Sequence, residues 1–176
     1  MEQLKMMRDD TKIGAIHLPE GFLIRSYKKG DEIGWCRCCI NGSLGVDEIS
    51  EEVFEKKMLC DENVNPNNIF LLISPSNEIA GTATYQYTSE KEVAYLHMVG
   101  IAKNYQGKRL ALPINLYAIQ KMLEDGKKRI YLTTDDWRLP AIKTYYNAGF
   151  NPVFYQPDME ERWKRVMEKL LCQSRK

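Results

Sequence analysis

The chain has almost no net charge. Its 176 residues hold 25 Lys and Arg against 24 Asp and Glu, a formal +1 at neutral pH. That balance leaves no basic stripe for nucleic acid and little attraction to an anionic membrane, so neither is expected as a partner. No apolar run reaches the roughly 18–20 residues of a membrane span. The opening M-E-Q-L-K-M-M-R-D-D lacks the apolar stretch of a secretory signal. Internal repeats and low-complexity tracts are missing too. The five cysteines are odd in number, which together with the missing signal points to reduced thiols in a cytoplasmic protein. The run C-R-C-C at 36–39 puts Cys36 and Cys39 on one helix face. No second Cys or His pair lies nearby to complete a four-ligand site, so no metal is expected. These thiols read as small buried apolar groups.

What is present suits one packed domain. The apolar fraction is 44%, with ten tyrosines. A chain of this length buries roughly two-thirds of its unfolded surface without staples. Residues 1–20 read as a leader and 21–176 as a single domain. Phe22–Tyr27 predicts a strand, followed by a helix that Asp31 can cap and that runs through Trp35 and Cys39. Asn41-Gly42 is the expected stop. Val46, Ile49, Val53, Phe54 and Met58 have the spacing of a second helix. D-E-N-V-N-P-N-N predicts a loop. A hairpin follows, its arms I-F-L-L-I-S and I-A-G-T-A-T-Y-Q-Y joined by P-S-N-E. Val93–Ile101 predicts a strand, and residues 108–124 a helix after the loop 103–108. Ile130–Thr134, Leu139–Asn147 and Phe150–Tyr155 predict a strand, a helix and a strand. Met159, Trp163, Val166 and Leu170 mark a last amphipathic helix. The expected fold is α/β: a mixed sheet of six or seven strands with helices on both faces.

One junction carries chemistry. The strand L-H-M-V-G-I feeds a short loop, and Q-G-K-R-L-A opens a helix. The first amides of a helix have no intrahelical partner, and the helix dipole favours an anion there. Gly107 allows close backbone approach, and Lys108 and Arg109 add positive charge. The site suits a pyrophosphate, although neither G-x-x-x-x-G-K-[ST] nor G-x-G-x-x-G occurs.

Residues 69–150 resemble a GNAT acetyltransferase core. The pyrophosphate loop of that family reads Gln/Arg-x-x-Gly-x-Gly/Ala, and Gln106, Leu110 and Ala111 fall in that frame, with Arg109 where glycine is usual. The later R-L-P-A-I-K-T-Y-Y-N-A-G-F resembles the family's second cofactor segment through Ala141, Tyr145, Gly149 and Phe150. Arg138 replaces its usual asparagine. The resemblance implies acetyl-CoA as co-substrate and a central strand that splays from its parallel neighbour. Pantetheine would bond backbone groups of Val99, Gly100 and Ile101. It implies cofactor contacts from Gln106, Gly107, Lys108, Arg109, Leu110, Ala111, Arg138, Ala141 and Tyr145.

Direct attack of an amine on a thioester needs no cysteine nucleophile. It needs a neutral amine, a stabilised oxyanion and a proton for the departing thiolate. Tyr145 aligns with the family tyrosine that donates that proton; the alternative is a packed core tyrosine. His97 is either the base that takes the amine proton or a hydrogen-bonded core histidine. The alternation Tyr95, His97, Val99 puts all three on one sheet face. Asp135 and Asp136 read as caps for the helix near Leu139. The implied activity is acyl transfer from acetyl-CoA to a primary amine of a small molecule or peptide, by a monomer or homodimer. The alternative is a non-catalytic acyl-CoA-binding or partner-binding module on the same fold.

Overall fold

The computed structural model describes residues 2–40 and 45–173. The strands are β1 (Leu4–Arg8), β2 (Leu23–Ser26), β3 (Val64–Ile73), β4 (Ile79–Tyr87), β5 (Val93–Ile101), β6 (Arg129–Thr134) and β7 (Asn151–Val153). The helices are α1 (Glu32–Cys39), α2 (Glu51–Phe54), α3 (Ala111–Glu124), α4 (Leu139–Asn147) and α5 (Met159–Gln173). The strands form one sheet in the order β2-β3-β4-β5-β6-β1-β7. All neighbours are antiparallel except β5 and β6. Chain reversal through α3 makes that pair parallel, as a helical crossover requires.

Two apolar cores lie on the two faces of the sheet. One joins Leu72, Ala83, Leu96, Ile130 and Leu132 to α3, α4 and α5. The other joins Ile69, Leu71 and Ile73 to Trp35 and the thiols of α1 and to Phe54 of α2. Helix α3 follows its stripe: Ile114, Ala118 and Met122 are fully buried. Each large side chain so covered contributes about 1.5–3 kcal/mol. Pro113 sits in the first turn, where its missing N–H removes no helical bond. The stripe of α5 points inward as its spacing predicts, with Met159, Trp163, Val166 and Leu170 all buried.

Several expectations are corrected. Residues 1–20 do not act as a leader throughout: Leu4–Arg8 form a strand inserted between β6 and β7. Leu4 and Met6 are fully buried, and Arg8 is only 5% exposed. Of the D-E-N-V-N-P-N-N stretch expected as a loop, V-N-P-N-N is the first half of β3. Its register with β4 shifts between Val64 and Ile69, which lets Pro66 sit where no ladder bond is required. The second helix is one α-turn continued by a π-helical turn over Glu55–Leu59. Asp31 stands at the start of α1 without capping it. Its carboxylate instead takes Arg25 Nη1 and Nη2 at 2.6 and 2.9 Å and the Lys28 amide at 2.7 Å. The stop expected at Asn41-Gly42 lies outside the described residues.

Candidate functional site

Strands β5 and β6 pair only over Val93–Tyr95 against Arg129–Tyr131. Beyond that they part, and among the described residues Leu96–Gly100 pair with no strand on this side. The separation begins well before Ile101, closer to the middle of β5 than the sequence suggested. A β-bulge adds to it. Thr82 faces Gly100 while Thr84 faces His97, so Ala83 of β4 opposes both Met98 and Val99. Met98 takes the left-handed conformation, φ 48°. The expected alternation therefore breaks at this point. Met98 joins the core beneath α1, and Val99 turns to the opposite core. Val99 and His97 do not share a face.

Gly100 is required by close approach. A Cβ there would lie 2.4 Å from the Cys38 carbonyl oxygen of α1. The end of β5 is thus pressed against α1 on one side and open on the other.

A cleft of about 620 Å³ fills the opening. Its walls are Val99, Gly100 and Ile101 of β5, the turn from Gln106 to Ala111, and Arg138, Ala141 and Tyr145 around α4. Of the residues singled out for cofactor binding, all but Lys108 line it. The Lys108 ammonium instead lies over the Tyr105 ring, 4.9 Å from its centroid. Gln106 braces the turn, its Nε2 donating to the Ile101 carbonyl at 3.1 Å.

The turn has an anion-binding shape. Gly107 and Arg109 are both left-handed, φ 76° and 58°. Leu110 follows as right-handed, φ −80°, ψ −20°. A left-handed residue next to a right-handed one turns successive N–H groups into one concavity. The free amides at the start of α3 open beside it. Arg109 therefore keeps a backbone conformation that glycine adopts at no cost. A helical φ for this residue, the condition for placing it without strain, is not what the chain adopts.

Tyr145 is 3% exposed, on the α4 wall. Burial pushes its phenol up to about 12, with Arg138 pulling the other way, so the hydroxyl keeps its proton at neutral pH. His97 is absent from the cleft lining. It lies on the α1 side of the sheet, beside the ring of Tyr95 at 5.1 Å, and Tyr95 stacks on Tyr131 at 4.8 Å. Burial lowers His97 to about 4, Asp61 opposing and Lys57 reinforcing the shift, so the imidazole is neutral at pH 7. The two candidate catalytic residues thus belong to opposite faces, with the strand gap between them. Neither Asp135 nor Asp136 caps α4. Asp135 accepts from Gln3 Nε2 at 3.1 Å, and Asp136 takes Arg162 Nε and Nη2 at 3.0 and 2.5 Å.

The cleft also contains residues that sequence reasoning passed over. Cys38 lines it, but burial pushes its thiol up to about 12, far from thiolate chemistry. Trp137, 63% exposed, lines it beside Arg138. Asn115 lines it from α3, fully buried. A polar residue on the apolar stripe of α3 was the one available signal for it; nothing in the sequence marks Trp137.

A mixed sheet split at its central parallel pair, with a helix N-terminus beside the split, defines the GCN5-related acetyltransferase architecture. Residues 43–150 match the model of the acetyltransferase (GNAT) family, and the chain belongs to that family. The GCN5-related N-acetyltransferase of Sphaerobacter thermophilus superposes with a TM-score of 0.69 at 20% identity, over 87% of this chain and 50% of that one. The ribosomal-protein-S18-alanine N-acetyltransferase of Escherichia coli gives 0.60 at 20% identity, over 76% of this chain and 79% of its own. The mycothiol acetyltransferase of Corynebacterium aurimucosum is 29% identical over 75 residues, 42% of this chain and 25% of that protein. The matches therefore span only part of these relatives: half of the Sphaerobacter protein and a quarter of the mycothiol enzyme. Among the described residues, no helix is long and apolar enough to cross a membrane.

Proposed function

We propose that the chain transfers an acetyl group from acetyl-CoA to a primary amine of a small molecule or peptide, by direct attack on the thioester. The observation that carries this reading is the cleft between the parted strands, bounded by an amide-lined turn at one end and a protonated phenol on its wall. Bound acetyl-CoA supplies an activated acyl group. The turn Gly107–Ala111 holds the pyrophosphate through backbone N–H groups, with Arg109 adding charge. The edge of β5 at Val99 and Gly100 offers backbone donors and acceptors to an extended chain, much as a sheet edge accepts another strand. Tyr145 holds the proton for the departing thiolate. His97 is neutral and able to accept a proton, and we assign it the base role through water, since it stands outside the cleft lining. The cysteines take no part. Their free thiols favour a reducing compartment such as the cytoplasm.

The test is calorimetry with CoA, followed by thiol release from acetyl-CoA across a panel of amines and peptides. Binding with amine-dependent release is the expected result. Binding without turnover on any amine would favour the non-catalytic acyl-CoA-binding module. No binding would remove both.

A further inference from the structure

Asn115 is fully buried, and neither its Nδ2 nor its Oδ1 has a hydrogen-bond partner among the described residues. Buried side-chain amides are nearly always paired, so an exception calls for a reason. Its neighbours on α3, Ile114, Ala118 and Ile119, are fully buried and apolar and offer it nothing. Other buried polar atoms lack partners, among them those of Thr82, Thr84 and Trp163, but none of these residues lines the cleft, and Asn115 does. It stands one helical turn beyond Ala111, past the amide-lined turn and on the inner side of α3.

A primary amide presents donors and an acceptor together. Its complement is a group that offers an acceptor and a donor side by side, as a secondary amide does. An acetyl group offers only an acceptor. The linear arm between the nucleotide and the thiol of CoA contains two secondary amides. We propose that Asn115 recognises a secondary amide of that arm. This rests on the coenzyme reading of the cleft. It makes Asn115 a binding residue held unpaired in the free protein, among buried apolar neighbours.

The experiment compares the wild type with Asn115→Leu and Asn115→Met. Two ligands are titrated by calorimetry: CoA, and adenosine 3′,5′-bisphosphate, which has the nucleotide but no arm. Thermal unfolding is recorded without ligand. Both variants should lose about tenfold in CoA affinity while binding the bisphosphate as the wild type does. Both should melt at or above the wild-type temperature, because an unpaired buried amide has been removed. Unchanged CoA affinity would overturn the proposal. Equal loss for both ligands would place the amide on the nucleotide and also overturn it. Lower melting temperatures in both variants would mean the amide is already bonded inside the protein, with the same consequence. A wild type that binds neither ligand would instead sink the coenzyme reading itself.

Discussion

The guanidinium of Arg8 donates from Nη1 to the carbonyl of Ala148 at 2.8 Å, joining β1 to the end of α4. Nη2 donates to the Lys12 carbonyl. A cation at a helix C-terminus is favoured by the helix dipole, and here it also satisfies a carbonyl that α4 leaves free. Gly149 completes the contact. A Cβ at this position would lie 2.0 Å from Arg8 Nη1. Arg8→Met should cost about 1.5–3 kcal/mol in chemical denaturation, the worth of a hydrogen bond made by a charged group. Gly149→Ala should cost less in the Arg8→Met background than in the wild type, although φ 86° keeps some strain. Strict additivity of the two changes would mean the pair is not coupled.

Tyr145→Phe keeps the ring that packs against Phe150 at 6.2 Å and removes only the hydroxyl. The expected outcome is a fall in kcat of about 10²–10⁴-fold with acetyl-CoA binding nearly unchanged. The wild-type phenol, raised to about 12, stays protonated as the pH climbs, so kcat should show no loss of a general acid between pH 7 and roughly pH 10. Full activity in the variant would leave solvent as the proton source.

His97 predicts an acid-sensitive fold. Its pKa is lowered to about 4 in the folded chain, against an ordinary value of 6.5. The unfolded chain therefore binds the proton first as pH falls. The stability this residue contributes is complete above about pH 6.5 and is lost as the pH drops towards 4. His97→Gln should flatten the decline between those limits in denaturant titrations at a series of pH values. A base role makes a separate demand: the kcat–pH profile must change in the same variant.

Gly100→Ala should destabilise by about 1–3 kcal/mol, since the obstructing atom is the Cys38 backbone oxygen and cannot rotate away. Equilibrium unfolding measures this. Wild-type stability would show that α1 shifts freely over β5.

Arg109→Gly separates charge from backbone shape. Glycine accepts φ 58° without strain, so the turn should persist. The expected result is weaker CoA binding at low salt, with the gap to the wild type closing as salt rises. Affinity equal to the wild type at every salt concentration would assign Arg109 no electrostatic part in binding.

The sequence disclosed the features that follow from periodicity and punctuation. The α3 stripe, the hairpin β3–β4 and the strand–turn–helix at 93–124 were legible because side-chain spacing alone determines them. Strand β1 was not. Its five residues include Lys5 and Arg8, and a buried arginine beside acidic residues reads as a polar end until its carbonyl partners are known. The bulge at Met98 was hidden as well, because a left-handed methionine has no local signature; the strand Val93–Ile101 looks regular in sequence. Arg109 and Arg138 read as departures from a motif. In space both line the same cleft, as the resemblance implied, but the left-handed backbone of Arg109 is visible only in the fold. Asn115 had a signal, a polar residue among buried apolar ones, but its lack of a partner is a property of the packed core.

The insertion of β1 between β6 and β7 also bears on how the molecule assembles. Leu4–Arg8 pair with Ile130–Thr134 and with Asn151–Val153, segments remote along the chain. Such closures are slow, because chain entropy is spent before any contact repays it. Until β1 arrives, the facing edges of β6 and β7 stand open, and each is a template for a strand of matching pattern. A second copy of the chain carries that strand. Refolding at high concentration should therefore lead to exchanged dimers or aggregates, whereas dilute refolding lets each chain close on its own strand.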